Sequence, residues 1–207
     1  MTSPRVSIRA RTASRQALLA MALGSTVLAT TTMAAPAGPL QAVPSVDLAR
    51  YQGRWYQIAY YPNVFQKQCA GHTTADYALD DTGQVSVTNQ CLTHEGKVSK
   101  AVAQARVRQP RLLGIPTGPA GSPSMLEVRF APAWLSWLPF VWASYWVIQL
   151  ADDYRYAVVG EPGRDYLWIL SRTPTLAAAD RAHIHAQLQQ QGYDPGKLQE
   201  EDQSPLP

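Results

Sequence analysis

Cys69 and Cys91 are the only two side chains in the 207-residue chain that could serve as a thiolate nucleophile. A catalytic thiol needs a lowered pKa, from a helix start or a Cys-x-x-Cys partner, and neither cysteine has such a neighbour. The other chemistry open to the pair is a disulfide, which an oxidising compartment favours. The four histidines offer no metal site: His183 and His185 stand two apart on a helical segment and face different sides, and His72 and His94 are isolated near strand ends. Asp80-Asp81 and Asp152-Asp153 fall at turns, where Asp bonds its own backbone. Neither Gly-x-Ser-x-Gly, a phosphate-binding glycine loop nor His-Glu-x-x-His occurs. No catalytic residue, cofactor or metal is expected.

Binding chemistry is better represented. All nineteen aromatic residues lie after residue 50. The run "PAWLSWLPFVW", Pro132 to Trp142, holds Trp134, Trp137 and Trp142 with no charge, and its two prolines argue against a continuous helix. It admits three placements: a gate at the mouth of a binding site, an anchor in the headgroup zone of a membrane, or a satellite core.

The first residues are not part of this fold. Residues 1–37 carry Arg5, Arg9, Arg11 and Arg15 with no acid, then an apolar stretch from Ala17 to Ala29, then small residues up to Ala37. That order predicts a secretory signal peptide of the Sec type, cleaved between Ala34 and Ala37, and a periplasmic product. Outer-membrane association stays open, although no Cys precedes Cys69 to carry a lipoprotein anchor. The net charge of +3 becomes −1 once the four leader arginines are set aside, so the charge balance gives no reason to expect nucleic-acid binding.

The positioning elements read as strands. After a Pro-containing leader over 38–45, β-rich runs separated by turn residues span Arg54 to Tyr61, Thr73 to Leu79, Gln84 to Cys91, Lys100 to Val107, Met125 to Phe130, Tyr145 to Leu150, Tyr156 to Val159 and Tyr166 to Leu170. Ala101, Ala103 and Ala105 share one face of the fourth, which would widen an interior. Eight such strands can close into an antiparallel up-and-down barrel with room for one small ligand. One helix is expected from Leu176 to Gln191, with Thr175 as N-cap, Gly192 past its end, and Leu176, Ala179, Ile184 and Leu188 packed on the outside of the barrel. Residues 199–207 read as a tail.

Gly53-x-Trp55 on the first strand, preceded by "VDLARYQ" and followed by "ADDYRYAVVGEPGRDYLWILSRTPTL" with Asp153-Tyr154 and Arg172, resembles the lipocalin family, in particular its bacterial Blc-like and apolipoprotein D-like group. The likeness covers 46–198. It implies an all-β, eight-stranded barrel with one C-terminal helix outside, a floor made by Gly53, Trp55 and Arg172, and a small hydrophobic or amphiphilic ligand such as a fatty acid or lysophospholipid. Parity from Trp55 turns Gln57, Ala59 and Tyr61 inward, and parity from Arg172 does the same for Leu170 and Trp168. The resemblance places Trp146 and Ile148 toward the cavity as well, and lays the loop "PNVFQKQC" over the opening. The expected ligand-facing set is Tyr61, Phe65, Ala103, Trp134, Trp137, Trp142, Trp146, Ile148 and Trp168. A cysteine-dependent enzyme on the same barrel, or a protein whose Trp-rich run contacts membranes or a partner, are the competing readings.

Overall fold

The computed structural model describes residues 38–205 except 82–83, 110, 113–114, 118–120, 132–134, 137 and 139–140. Trp134 and Trp137 therefore lie outside the described residues. Eight antiparallel strands, β1 (Gly53–Tyr60), β2 (Cys69–Leu79), β3 (Val85–Thr93), β4 (Val98–Val107), β5 (Met125–Arg129), β6 (Ala143–Leu150), β7 (Tyr156–Gly160) and β8 (Leu167–Ser171), pair in chain order. β8 returns to β1, with Tyr56 opposite Ser171 and Tyr60 opposite Trp168, and this closes the barrel. Closure removes the unpaired edges that eight strands would leave in an open sheet.

Alternation along the strands divides the apolar residues into two cores. The first, inside the barrel, contains Tyr51, Trp55, Ala75, Tyr77, Val85, Val87, Ala103, Ala105, Leu126, Val147, Ala157, Val159 and Leu170. The second lies between the outer wall and the helix α2 (Ala178–Gln190), and includes Ile58, Ala59, Tyr61, Ile148, Val158, Ile169, Ile184, Leu188 and Tyr193.

Two bulges decide which residues belong to which core. The β1 register shifts between Gln57 and Ala59, and the β6 register between Val147 and Gln149. An extra residue in one strand reverses the facing of everything beyond it. Ala59 and Tyr61, expected inside, are thereby carried to the helix side, and Tyr60 takes the inward position opposite Trp168. Strand β6 has the opposite parity from the one expected: Tyr145 and Val147 belong to the inner core, and Trp146 and Ile148 to the outer one.

The helix also differs in detail. Its N-cap is Ala177 with no side-chain cap bond, not Thr175, and Ala179 is exposed while Ile184 and Leu188 are buried. Gly192 stands past its end at φ +80°, the left-handed conformation glycine adopts without penalty. The 199–207 segment is more than a tail: Gln199–Glu200 forms a ninth strand, β9, on β1.

Cys69 and Cys91 are joined in a disulfide that ties the open end of β2 to β3. Its 22-residue separation sets the expected effect of reduction. The free energy of unfolding should fall by about 3 kcal/mol. Urea denaturation with and without reductant measures this, and coincident curves would contradict it.

Candidate ligand-binding site

The chain enters the barrel through the short helix α1 (Leu48–Tyr51), capped by Asp47, whose Oδ1 accepts from the backbone N–H groups of Ala49 and Arg50. Beyond it Gly53 adopts φ +87°. The glycine is required by that backbone conformation and not by lack of space, since a Cβ there would meet Arg172 Nη1 only at an ordinary 3.6 Å. Trp55 then points into the barrel, fully buried, with its Nε1 donating to the Tyr51 carbonyl at 2.9 Å. The Arg172 guanidinium lies 3.8 Å from the indole centroid. Its nitrogens donate to the carbonyls of Arg50, Gln52 and Arg54. A planar fork satisfies three helix- and strand-end acceptors while its face rests on the ring, which is how one residue closes this end of the barrel.

Above the floor the interior is closed by three tyrosines. Tyr145 Oη lies 2.6 Å from Tyr77 Oη and 3.3 Å from Tyr51 Oη, forming a hydroxyl chain inside the apolar core. Burial raises all three: Tyr51 and Tyr145 well above the usual phenol range, Tyr77 to about 12. A tyrosine whose folded pKa exceeds its unfolded value near 10 stabilises the fold below that value, and the contribution is lost as pH rises through the folded one. Stability should therefore decline between pH 10 and about 12. Absorbance at 295 nm should show a group of phenols that ionise only with unfolding, and a single transition for all ten tyrosines near pH 10 would contradict this.

The half nearer the opening is built differently. Ala75, Asn89 and Ala101 sit side by side across β2, β3 and β4 on the inward parity, with Ala103 beside Val87 one step deeper. Small side chains there leave the wall thin. Facing them, Trp168 packs on the inner core and donates its Nε1 to Gln66 Oε1 at 3.1 Å. Gln66 belongs to the short 3₁₀ turn Val64–Gln66 that follows β1. It receives Asn63 Nδ2 and donates through Nε2 to Gln57 Oε1. Gln57 in turn donates to Glu201 Oε2 at 2.8 Å. A polar belt thus runs from β8 through the first loop and β1 to the C-terminal segment.

Of the ligand-facing set expected from sequence, the structure brings Ala103 and Trp168 to the interior. Phe65 stands at the rim, 67% exposed, with its ring 5.8 Å from that of Tyr166. Tyr61 does not face the interior. Past the β1 bulge its ring meets Tyr193 at 5.9 Å and its hydroxyl donates to the Asp194 carbonyl. Trp146 and Ile148 are likewise on the outer wall, for the reason of β6 parity. Trp142 is held outside too, with Arg106 3.5 Å from its ring centroid and its Nε1 donating to the Ser136 carbonyl. The residues that sequence reasoning missed are Tyr60, Gln66, Tyr145 and Glu201. Tyr145 was reachable by giving β6 the alternate parity, while Glu201 had no signal, since it reaches the barrel only through the tail.

Both cysteines being in the disulfide, the described residues hold no free thiol, which removes the nucleophile a cysteine-dependent enzyme would need.

A family model described as a lipocalin-like domain matches residues 46–203. The chain is 32% identical over 181 residues to the outer membrane lipoprotein Blc of Escherichia coli, covering 87% of this chain and 93% of that protein. It is 29% identical over 180 residues to mouse apolipoprotein D, covering 83% and 84% respectively. Among solved structures, the major allergen Per a 4 from cockroaches superposes with a TM-score of 0.57 at 16% identity, over 80% of this chain and 92% of that one.

Proposed function

The chain belongs to the lipocalin family, whose members bind small hydrophobic ligands, and from that premise we propose that it is an exported carrier of one single-chain amphiphile, a fatty acid or lysophospholipid, in the cell envelope. The observation that carries this reading is the contrast between the two halves of the interior. The closed half is filled by Trp55, Tyr51, Tyr77 and Tyr145, whereas the open half has Ala75, Ala101 and Ala103 facing Trp168 and a belt of polar groups. An acyl chain lies against small and aromatic side chains, and its polar head stays near the mouth. The leader composition of residues 1–37 and the likeness to an outer membrane lipoprotein support an envelope setting. The test is to strip the purified protein of lipid and titrate it with a lysophospholipid. One equivalent should bind and change Trp emission, and a protein that neither retains lipid nor responds would sink the proposal.

A second activity is favoured by the rim. Val64, Phe65, Val98 and Phe130 are each more than half exposed, and all four belong to the open end. An apolar rim of this kind suits transient contact of the mouth with a membrane, through which an amphiphile enters or leaves. Phe65→Ser with Phe130→Ser should reduce co-sedimentation with lipid vesicles; unchanged co-sedimentation would remove this reading and leave the carrier in place.

A further inference from the structure

The C-terminal segment completes the barrel wall. β1 and β2 pair only between Gly53–Tyr56 and Thr74–Tyr77, so toward the opening the two strands part. Residues Gln199 to Gln203 occupy the gap. Gln199 and Glu200 pair with Tyr60 and Ala59, and Glu201 N donates to the Ile58 carbonyl at 2.9 Å. On the other side His72 N donates to the Asp202 carbonyl at 2.7 Å. Gln203 Nε2 donates to the carbonyls of both Gln57 and Thr73, fastening the two strands together.

Strand alternation then separates two neighbouring acids. Glu200 faces outward and pairs with Arg181 of α2. Glu201 faces inward, with Oε2 accepting from Gln57 Nε2 at 2.8 Å and Oε1 from Thr73 N at 2.9 Å. Glu201 belongs to none of the side-chain ion pairs among the described residues. Beside it the Thr73 hydroxyl is buried with no hydrogen-bond partner, the residue being 8% exposed. A buried orphan hydroxyl next to an inward carboxylate that holds two neutral donors and no cation is an arrangement that a ligand would complete, because the unmet hydroxyl carries a desolvation penalty and the carboxylate has lone pairs left for a charged donor.

We propose that Glu201 and Thr73 form the head-group subsite of this barrel and select amphiphiles whose head carries an ammonium or hydroxyl group over those that end in a free carboxylate. This rests on the carrier reading and narrows it. An ammonium brings a positive charge and three N–H donors, which the carboxylate and the Thr73 oxygen accept. A fatty-acid carboxylate would instead approach a like charge in a partly desolvated setting.

The test compares dodecylamine, 1-dodecanol and dodecanoate, which share one chain length, by isothermal titration below their micelle thresholds at pH 7.5. The whole protein should bind dodecylamine about tenfold more tightly than dodecanoate. Glu201→Gln should bring the two within about twofold, by weakening the amine and strengthening the acid. Thr73→Val should weaken the amine and the alcohol and leave dodecanoate unchanged. Lysophosphatidylethanolamine should likewise bind more tightly than lysophosphatidylglycerol, whose head carries hydroxyls but no ammonium to meet the Glu201 charge. A parent protein that takes dodecanoate as tightly as dodecylamine overturns the proposal, as does selectivity untouched by Glu201→Gln. If Glu201→Gln loses its near-ultraviolet dichroism, Thr73→Val alone decides, and equal losses for all three probes would overturn the subsite. Binding of none of the probes, the neutral alcohol included, brings down the carrier reading itself, whereas equal binding of all three brings down only the selectivity.

Discussion

Trp55→Ala should lower the free energy of unfolding by about 4 kcal/mol, the largest loss expected of any single substitution in the barrel. The indole is fully buried, packs at a tilt against Tyr51 with ring centroids 4.8 Å apart, supports the Arg172 guanidinium at 3.8 Å and donates to the Tyr51 carbonyl. Truncation removes the apolar area, leaves a cavity that rigid strands cannot close, and takes away the Nε1 donor that satisfies the Tyr51 carbonyl at the end of α1. Domains of this size have only about 5–15 kcal/mol in total, so the variant should melt far below the parent. Urea denaturation is the measurement. A loss under about 1 kcal/mol would show that Trp55 is ordinary packing and that the floor is held elsewhere.

Ala103→Phe should weaken amphiphile binding more than tenfold while the barrel still folds. Ala103 is 1% exposed on the inward face of β4, beside Val87 and next to the Ala75, Asn89 and Ala101 row. A phenyl ring there projects into the open half, where the acyl chain would lie. Overpacking costs about 1–3 kcal/mol, which denaturation must show separately from the affinity loss. The paired control is Trp146→Phe on the outer wall. Trp146 Nε1 is buried without a partner, so losing it offsets much of the lost contact area, and affinity should be unchanged. The reverse outcome, with Trp146→Phe abolishing binding and Ala103→Phe sparing it, would exchange inside for outside.

The pair also marks where sequence reasoning succeeded and where it stopped. The eight barrel strands and their order, the helix and the disulfide were legible, because alternation, turn residues and a lone cysteine pair in a chain with an export-type leader each follow from local chemistry, whereas the ninth strand at Gln199–Glu200 was not. The floor was legible because Gly53, Trp55 and Arg172 lie in recognisable surroundings. Facing was not. Parity carried from Trp55 is right for Gln57 and fails at Tyr61, since one inserted residue near Ile58 reverses it and nothing in "WYQIAYY" marks the insertion. For Trp146 and Ile148 the facing implied by the resemblance was opposite to the observed one, and alternation could not correct it, because a strand flanked by two cores is apolar on both sides. Trp142 illustrates the same limit: an uncharged aromatic run gives no hint that Arg106 from a distant strand covers one of its rings. Glu201 was invisible because its placement depends on a β1–β2 gap that exists only in three dimensions.

The most direct test of the carrier is native mass spectrometry of the non-reduced protein after delipidation and incubation with a lysophospholipid, run beside Ala103→Phe. The expected spectrum shows one added lipid mass on the parent, surviving gentle activation, and bare polypeptide for Ala103→Phe. A parent that stays bare, or a variant that takes up lipid as readily as the parent, would contradict a ligand site inside the barrel.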